Sequence, residues 1–480
     1  MSKTRPSNWR PGRRQHDYCR ELAYEILLTV ETEDAYANLV VPQVIKHANL
    51  GKQDAAYVTN LSYGTIRLQG RWDAIIAHCI GDKTLSDLDI EVLLLLRLGA
   101  YQLLELKTPA HAAIYEMVML TRNLIGTGAS GFVNAVLRRI SERSTAQWRD
   151  VLLEANGGKA SSLDFLSAWF SHPCWIISSY LKTLKETGRE PKELLSVLKA
   201  NNTPAPVSLV AREISIKSLE TDIQRGKMSS SPPYLVDSAL TLENGDPHRI
   251  FAVKDKLAGV QDEGSQLVAK IFANIPITQP DSQWLDLCAG PGGKTATLAA
   301  LAAQRGAEIY ANELHEHRLN LVAQGTLPWS DIVHLRQGDG REIGTLEPNV
   351  YDRVLVDVPC SGIGALRRRP EARWRKTAGD ILDLAVLQKE LLLSGFKATR
   401  VGGITAYVTC SSHLSETRDV VMEFLAEYEN VELLDISEVA SQSSLREISL
   451  TKGMLQLWPD LHRSDAMFMA VLQKTASASA

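Results

Sequence analysis

The sequence predicts three parts in one chain: an all-α helical bundle, a small α+β connector, and an α/β domain built on a mostly parallel, doubly wound sheet. Three observations lead there. The 480 residues are ample for about three domains at about 100–200 residues each. Between residues 15 and 145 apolar side chains recur at helical spacing, with almost no alternating strand pattern between them. From residue 256 onward short β-branched runs alternate with helical stretches, the order that builds a parallel sheet covered on both faces.

In the helical part, Leu22, Ile26, Leu27 and Val30 form one stripe and Val92, Leu95, Leu96 and Leu103 another, separated by stops at Asn49-Leu50-Gly51 and Gly126-Thr127-Gly128. His111 falls on an apolar helix face and is expected to be packed. The stretch Ile90 to Leu106 is broken by Glu91, Arg97 and Glu105, as an amphipathic helix would be, so no membrane span is expected. From 146 to 255, Gly157-Gly158, Asn201-Asn202-Thr203-Pro204, Ser229-Ser230-Ser231-Pro232-Pro233 and Gly245-Asp246-Pro247 punctuate short pieces such as the strand-like Val207 to Val210.

In the α/β part, 256–474, the expected strands are Trp284–Cys288, Glu308–Asn312, Ile332–Leu335, Arg353–Asp357, Ile404–Thr409 and Val431–Leu434, with helices such as Thr295–Arg305 and Ile381–Thr399 between them. Ligands of such sheets bind beyond the carboxyl ends of the strands, at the point where strand order reverses.

Composition excludes several classes. With 45% hydrophobic and 22% charged residues the chain is neither collagen-like nor mostly disordered. The N-terminus carries cations without an apolar stretch behind them, which reads as a cytoplasmic protein rather than a secreted one. Cys19, Cys79, Cys174, Cys288, Cys360 and Cys410 lie 50 or more positions apart, so neither a C-x-x-C metal site nor a disulfide framework is indicated, and no metal is expected.

A net charge of −4 leaves nucleic-acid contact to local basic patches. In one, Lys3, Arg5, Arg10, Arg13, Arg14 and Arg20 stand against Asp17; residues 1–14 are expected to be a disordered arm, and 475–480 a disordered tail. The other comprises Arg367, Arg368, Arg369, Arg373, Arg375 and Lys376. Either could be a solvated surface run.

The first α/β strand leads into Asp286-Leu-Cys-Ala-Gly-Pro-Gly-Gly-Lys-Thr295, where glycines let the backbone approach a ligand and a helix N-terminus offers free N–H groups. A P-loop would need Gly at Cys288, and a dinucleotide fingerprint would need Gly or Ala at Thr295; both fail. Glu313, after the second strand, is placed to accept from both hydroxyls of a ribose, and Asp339, after the third, is suited to an adenine amino group.

Asp357-Val-Pro-Cys360 ends the fourth strand and Thr409-Cys410-Ser411 the fifth. If these strands are neighbours, two thiols and a carboxylate face one pocket beside an adenosine ligand. Carbon 5 of a pyrimidine is a poor nucleophile, and a thiolate adding at carbon 6 converts it into an enamine-like one, so thiols in this place fit covalent methyl transfer.

In these motifs and their order the sequence resembles the bacterial 16S ribosomal RNA cytosine-5 methyltransferases of the Sun/Fmu type, which use S-adenosylmethionine. The match rests on Cys288-Ala-Gly-Pro-Gly-Gly-Lys294, Asp357-x-Pro-Cys360 and Thr409-Cys410-Ser411. Pro109-Ala-His-Ala-Ala113 and Gly131-Phe-Val-Asn-Ala-Val-Leu-Arg-Arg139 resemble the family's NusB-like RNA-binding domain, and Val260-Gln-Asp-Glu-Gly-Ser265 its connector.

The resemblance implies that Cys288, Ala289, Gly290, Pro291, Gly292, Gly293 and Lys294 border the cofactor with Glu313, Asp339 and Asp357. It also implies that Cys410 is the nucleophile, that Asp357 holds the cytosine edge, and that Cys360 assists release. Three departures stand out: Glu313 where Asp is common, Leu414-Ser-Glu-Thr417 where Pro-Glu-Glu-Asn is usual, and Asp465-Ala-Met-Phe468 for Asp-Gly-Phe-Phe.

Because Arg367, Arg368, Arg369 and Arg373 follow Cys360 closely, they are expected to neutralise phosphates around a flipped-out base. The expected partner is 16S ribosomal RNA, free or in a small-subunit assembly intermediate, acted on by a monomer. Two alternatives remain: the same chemistry on another RNA such as transfer RNA, and an assembly protein that binds RNA and cofactor without turnover.

Overall fold

The computed structural model describes residues 17–475, so the expected N-terminal arm and all but the first residue of the expected tail lie outside the described residues. The chain forms two compact units, one running to Ile177 and taking in Arg369–Trp374, the other made of Ser178–Arg368 and the residues from Arg375 onward. The boundary between the units falls inside the helix Cys174–Glu186, and the region from 178 to 255 belongs to the unit that carries the α/β sheet.

The first unit is helical, with Tyr18–Thr32, Ala37–Ala48, Lys52–Arg67, Gln69–Ala77, Ile90–Leu104, Ala110–Leu124, Thr127–Ser141, Thr145–Ala155 and Leu163–Phe170 in order. Asp17 caps the first by accepting from Arg20 N–H at 3.0 Å. Ile90–Leu104 is not amphipathic as expected: twelve of its fifteen residues are buried, Arg97 among them. The guanidinium is tolerated there because Asp73 takes it bidentately, at 2.7 and 2.8 Å. His111, expected in the core, is exposed in the first turn of its helix.

The second unit contains two sheets. The smaller comprises β1 (Val207–Ala211), β2 (Ser230–Ser231), β3 (Ala239–Leu242) and β4 (Ala258–Val260), antiparallel in the order β2-β3-β1-β4. Leu209, Leu219, Ile223, Leu240 and Ile250 form its core. β4 passes directly into the helix Glu263–Asn274, capped by Asp262. Glu263 is buried there, accepting from the backbone N–H groups of Leu235 at 2.6 Å and Val236 at 3.1 Å, which ties the turn before β3 to the helix.

The larger sheet has nine strands: β5 (Gln283–Asp286), β6 (Glu308–Glu313), β7 (Val333–Gln337), β8 (Tyr351–Asp357), β9 (Thr399–Thr409), β10 (Val431–Leu433), β11 (Leu450–Thr451), β12 (Met454–Gln456) and β13 (Phe468–Lys474). β7, β6, β5, β8 and β9 lie side by side and parallel, while β13 runs antiparallel against β9 and carries β12 and β10.

Alternation along the strands sends Trp284 and Leu355 to one core with Leu298 and Phe272, and Leu285, Val354 and Val356 to another with Leu392 and Phe396. Both faces are therefore covered by helices. Strand order reverses between β5 and β8, which opens the binding crevice beyond Asp286 and Asp357.

Candidate active site

Beyond β5 the chain turns through Cys288–Gly292 into the helix Gly293–Ala303. Gly292 takes φ +101°, and a Cβ there would lie 2.9 Å from the Val322 backbone; a Cβ at Gly290 would overlap the Glu313 carboxylate. Side chains are thus excluded on the loop side of this crevice. Asp286, at 1% exposure, accepts from Thr295 Oγ1 at 2.8 Å, and burial lifts its carboxyl to about 7. Burial likewise raises the Cys288 thiol well above its ordinary value.

Glu313 closes the loop from β6. Its carboxylate accepts from Gly290 N–H and His315 N–H, each at 3.0 Å, and Arg318 lies 3.6 Å away while donating to the Gly290 carbonyl. Asp339 caps the helix Gly340–Leu346, and hydrogen bonds from Arg341 hold its carboxyl below the usual range. Glu313, the last residue of β6, and Asp339, beyond the end of β7, each have an arginine against them.

Lys294 reaches across the switch point to Asp357, Nζ to Oδ2 at 2.8 Å. Burial works most strongly against its charge, but Asp357, Cys410 and Asp286 together outweigh burial and raise its pKa. Asp357 and Val408 are paired in register, so β8 and β9 deliver Cys360 and Cys410 to one place, Sγ to Sγ at 3.1 Å. The hydrogen bond to Cys410, then burial, raises the Cys360 thiol well above its ordinary value.

Gly364 joins the two thiol loops: its N–H donates to the Cys410 carbonyl at 3.0 Å, and a Cβ there would stand 2.7 Å from the same oxygen. The 3-10 turn Leu414–Glu416 forms without proline at position 414. His413 Nδ1 accepts from Ser415 N–H at 3.2 Å, and burial keeps that imidazole in its accepting, neutral form.

Two family models match this chain. Residues 275–473, which include the loop, Asp357 and both cysteines, match 16S rRNA methyltransferase RsmB/F, and residues 18–142 match the NusB family. A Mycobacterium tuberculosis protein named as methyltransferase Rv1407 is 41% identical over 474 residues, 98% of this chain and 99% of that one. A Synechocystis protein named as ribosomal RNA small subunit methyltransferase B is 30% identical over 95% of this chain and 99% of its own length.

The chain belongs to the 16S rRNA methyltransferase RsmB/F family. Its fold is shared with the crystal structure of PH0851, at TM-score 0.77 and 20% identity over 95% of this chain and 99% of that one. The chain is accordingly an RNA methyltransferase, and residues 18–142 of its helical unit match the NusB family. Among the described residues no helix is long and apolar enough to cross a membrane.

The arginines after Cys360 correct the expectation of a phosphate-facing patch. Arg367 is 6% exposed and donates to the Ser464 carbonyl at 3.3 Å. Arg368 bridges Asp262, at 2.7 Å, and Asp465, at 3.1 Å, and also donates to the Pro206 carbonyl. Arg373 belongs to the helical unit, where it is fully buried and donates to the carbonyls of Ser171 at 2.7 Å and Arg67 at 3.2 Å. Buried carboxylates and carbonyls claim these three guanidiniums, since each would be costly to leave without a partner. Of the four, Arg369 presents an exposed side chain, over the ring of Tyr36.

Sequence reasoning missed three residues behind the RsmB/F site: Glu416, Gln388 and Tyr407. All three are fully buried and polar. The spacing of Glu416 after Cys410 was visible, but its partners Ser361, on the other thiol loop, and Gln388, on a helix, were not.

Proposed function

We propose that this RsmB/F protein methylates carbon 5 of a cytosine in 16S ribosomal RNA through a covalent Cys410 adduct. The observation that carries the reading is the pair of thiols 3.1 Å apart at the ends of β8 and β9, beside the Lys294–Asp357 ion pair. The name of the Synechocystis relative supports small-subunit RNA as the substrate. A protein that held RNA and cofactor without turnover would need neither thiol.

The crevice fits an adenosine cofactor: glycines line it at 290, 292 and 293, a helix N-terminus opens at Gly293, and acids stand at the end of β6 and after β7. S-adenosylmethionine bound there supplies an electrophilic methyl group. Residues Cys288–Lys294 would hold its methionine part, Glu313 its ribose and Asp339 its adenine. The Glu313 side chain reaches one methylene further than aspartate, and Gly290 N–H fixes where it ends.

Lys294 favours the thiolate of Cys410 through its charge. Cys410 adds through Sγ to carbon 6, leaving carbon 5 electron-rich while Asp357 holds the amino and N3 edge of the ring. After methylation the proton on carbon 5 leaves to solvent base, the Sγ–carbon 6 bond breaks, and the ring regains its double bond. Cys360, kept as a thiol, donates its S–H to the departing Cys410 thiolate. The NusB domain and Arg369 supply RNA contact.

Transfer of labelled methyl to unmodified 16S RNA, with the nucleoside identified by mass spectrometry, tests this. Label in 5-methylcytidine that vanishes in Cys410→Ala is expected. Label at another atom or on another base would overturn it.

A further inference from the structure

Glu416 is fully buried, with no apolar reason to be there. Its Oε1 accepts from Ser361 N–H at 2.7 Å and from Gln388 Nε2 at 3.2 Å. Its Oε2 accepts from the hydroxyls of Ser361 and of Ser411, the latter at 2.7 Å. Ser361 follows Cys360 and Ser411 follows Cys410, so one carboxylate grips the residue next to each thiol. Gln388 extends the grip to the Pro359 carbonyl at 2.9 Å, and Tyr407 Oη donates to the Glu416 carbonyl at 2.7 Å.

We propose that Glu416 is the positioning residue that sets the register of the two thiols. Its carboxylate accepts four hydrogen bonds, from Ser361, Gln388 and Ser411. It fixes the backbone on either side of the 3.1 Å gap, and four donors around one carboxylate make that junction strong and directional. Its charge also adds to what keeps Cys360 a thiol. The inference rests on the reading of both thiols as working groups in cytosine methylation.

Phenylarsine oxide bridges two thiols only when they are held a few ångströms apart, and its retention against a competing monothiol reads the spacing without RNA or turnover. Cys360→Ala sets the unbridged baseline. Glu416→Ala should fall toward that baseline and lose about 100-fold in kcat, the scale of a 1 Å misplacement, with KM for S-adenosylmethionine unchanged. Glu416→Gln, which keeps the shape and lets the two serine hydroxyls turn to accept, should restore bridging and most of the turnover.

If Glu416→Ala does not fold, Ser411→Ala carries the test, with retention between wild type and baseline. Wild-type bridging in Glu416→Ala, or in Ser411→Ala where that variant is used, overturns the proposal. Failure of the cytosine reading would register separately, as wild-type protein that makes no 5-methylcytidine.

Discussion

Lys294 Nζ and Asp357 Oδ2 meet at 2.8 Å across the switch point of the sheet, tying the helix after β5 to the carboxyl end of β8. The pair joins the glycine loop after β5 to the carboxylate that ends β8, and the Lys294 charge is felt at Cys410. Replacing Lys294 by Met should lower single-turnover methyl transfer by about 100-fold. The pH needed for half-maximal rate should move upward, because the Cys410 thiolate loses its neighbouring cation. A pH–rate profile measures both; an unshifted profile would show that Lys294 does not act on the thiol.

Asp286 makes stability depend on pH in an unusual sense. Its folded value of about 7 lies above the ~3.9 of an unfolded chain. Between those values the folded state binds the extra proton, so stability falls as pH rises from about 4 to about 7 and is level beyond. Asp286→Asn should remove this component, worth on the order of 3 kcal/mol across the window. Urea unfolding of both proteins at about pH 4.5 and about pH 7.5 checks it. A stability difference between the two proteins that is the same at both pH values contradicts the assignment.

Arg368 and Arg369 are adjacent yet predict different losses. Arg368→Ala leaves Asp262 and Asp465 buried beside each other without their cation, and should cost about 3 kcal/mol in urea titrations. Arg369→Ala should leave stability unchanged and reduce the slope of RNA affinity against salt by about 0.7. Equal stability of the two variants would refute the division.

The parallel strands were legible because their ends carry chemistry and their interiors are short β-branched runs. β13 was not: Phe468–Lys474 is buried on both faces and has no alternation to read, which also hid that Val431–Leu433 pairs antiparallel at an edge. The placing of Glu313, Asp357 and Cys410 at strand ends follows from strand order. Arg367, Arg368 and Arg373 were misread for the reason Arg97 was, since a sequence displays a charge and not the distant carboxylate or carbonyl that buries it. Glu416 was hidden likewise, one of its anchors, Ser361, lying 55 positions away.

The central claim is that Cys410 carries the covalent step and Cys360 its release. Cys360→Ala incubated with S-adenosylmethionine and 16S RNA, then denatured, digested and mapped by mass spectrometry, tests it most directly. The account predicts a methylated cytidine linked to the peptide containing Cys410, and no such species in the Cys360→Ala/Cys410→Ala double variant. Normal turnover of Cys360→Ala without an adduct, or a linkage to any other residue, would contradict it.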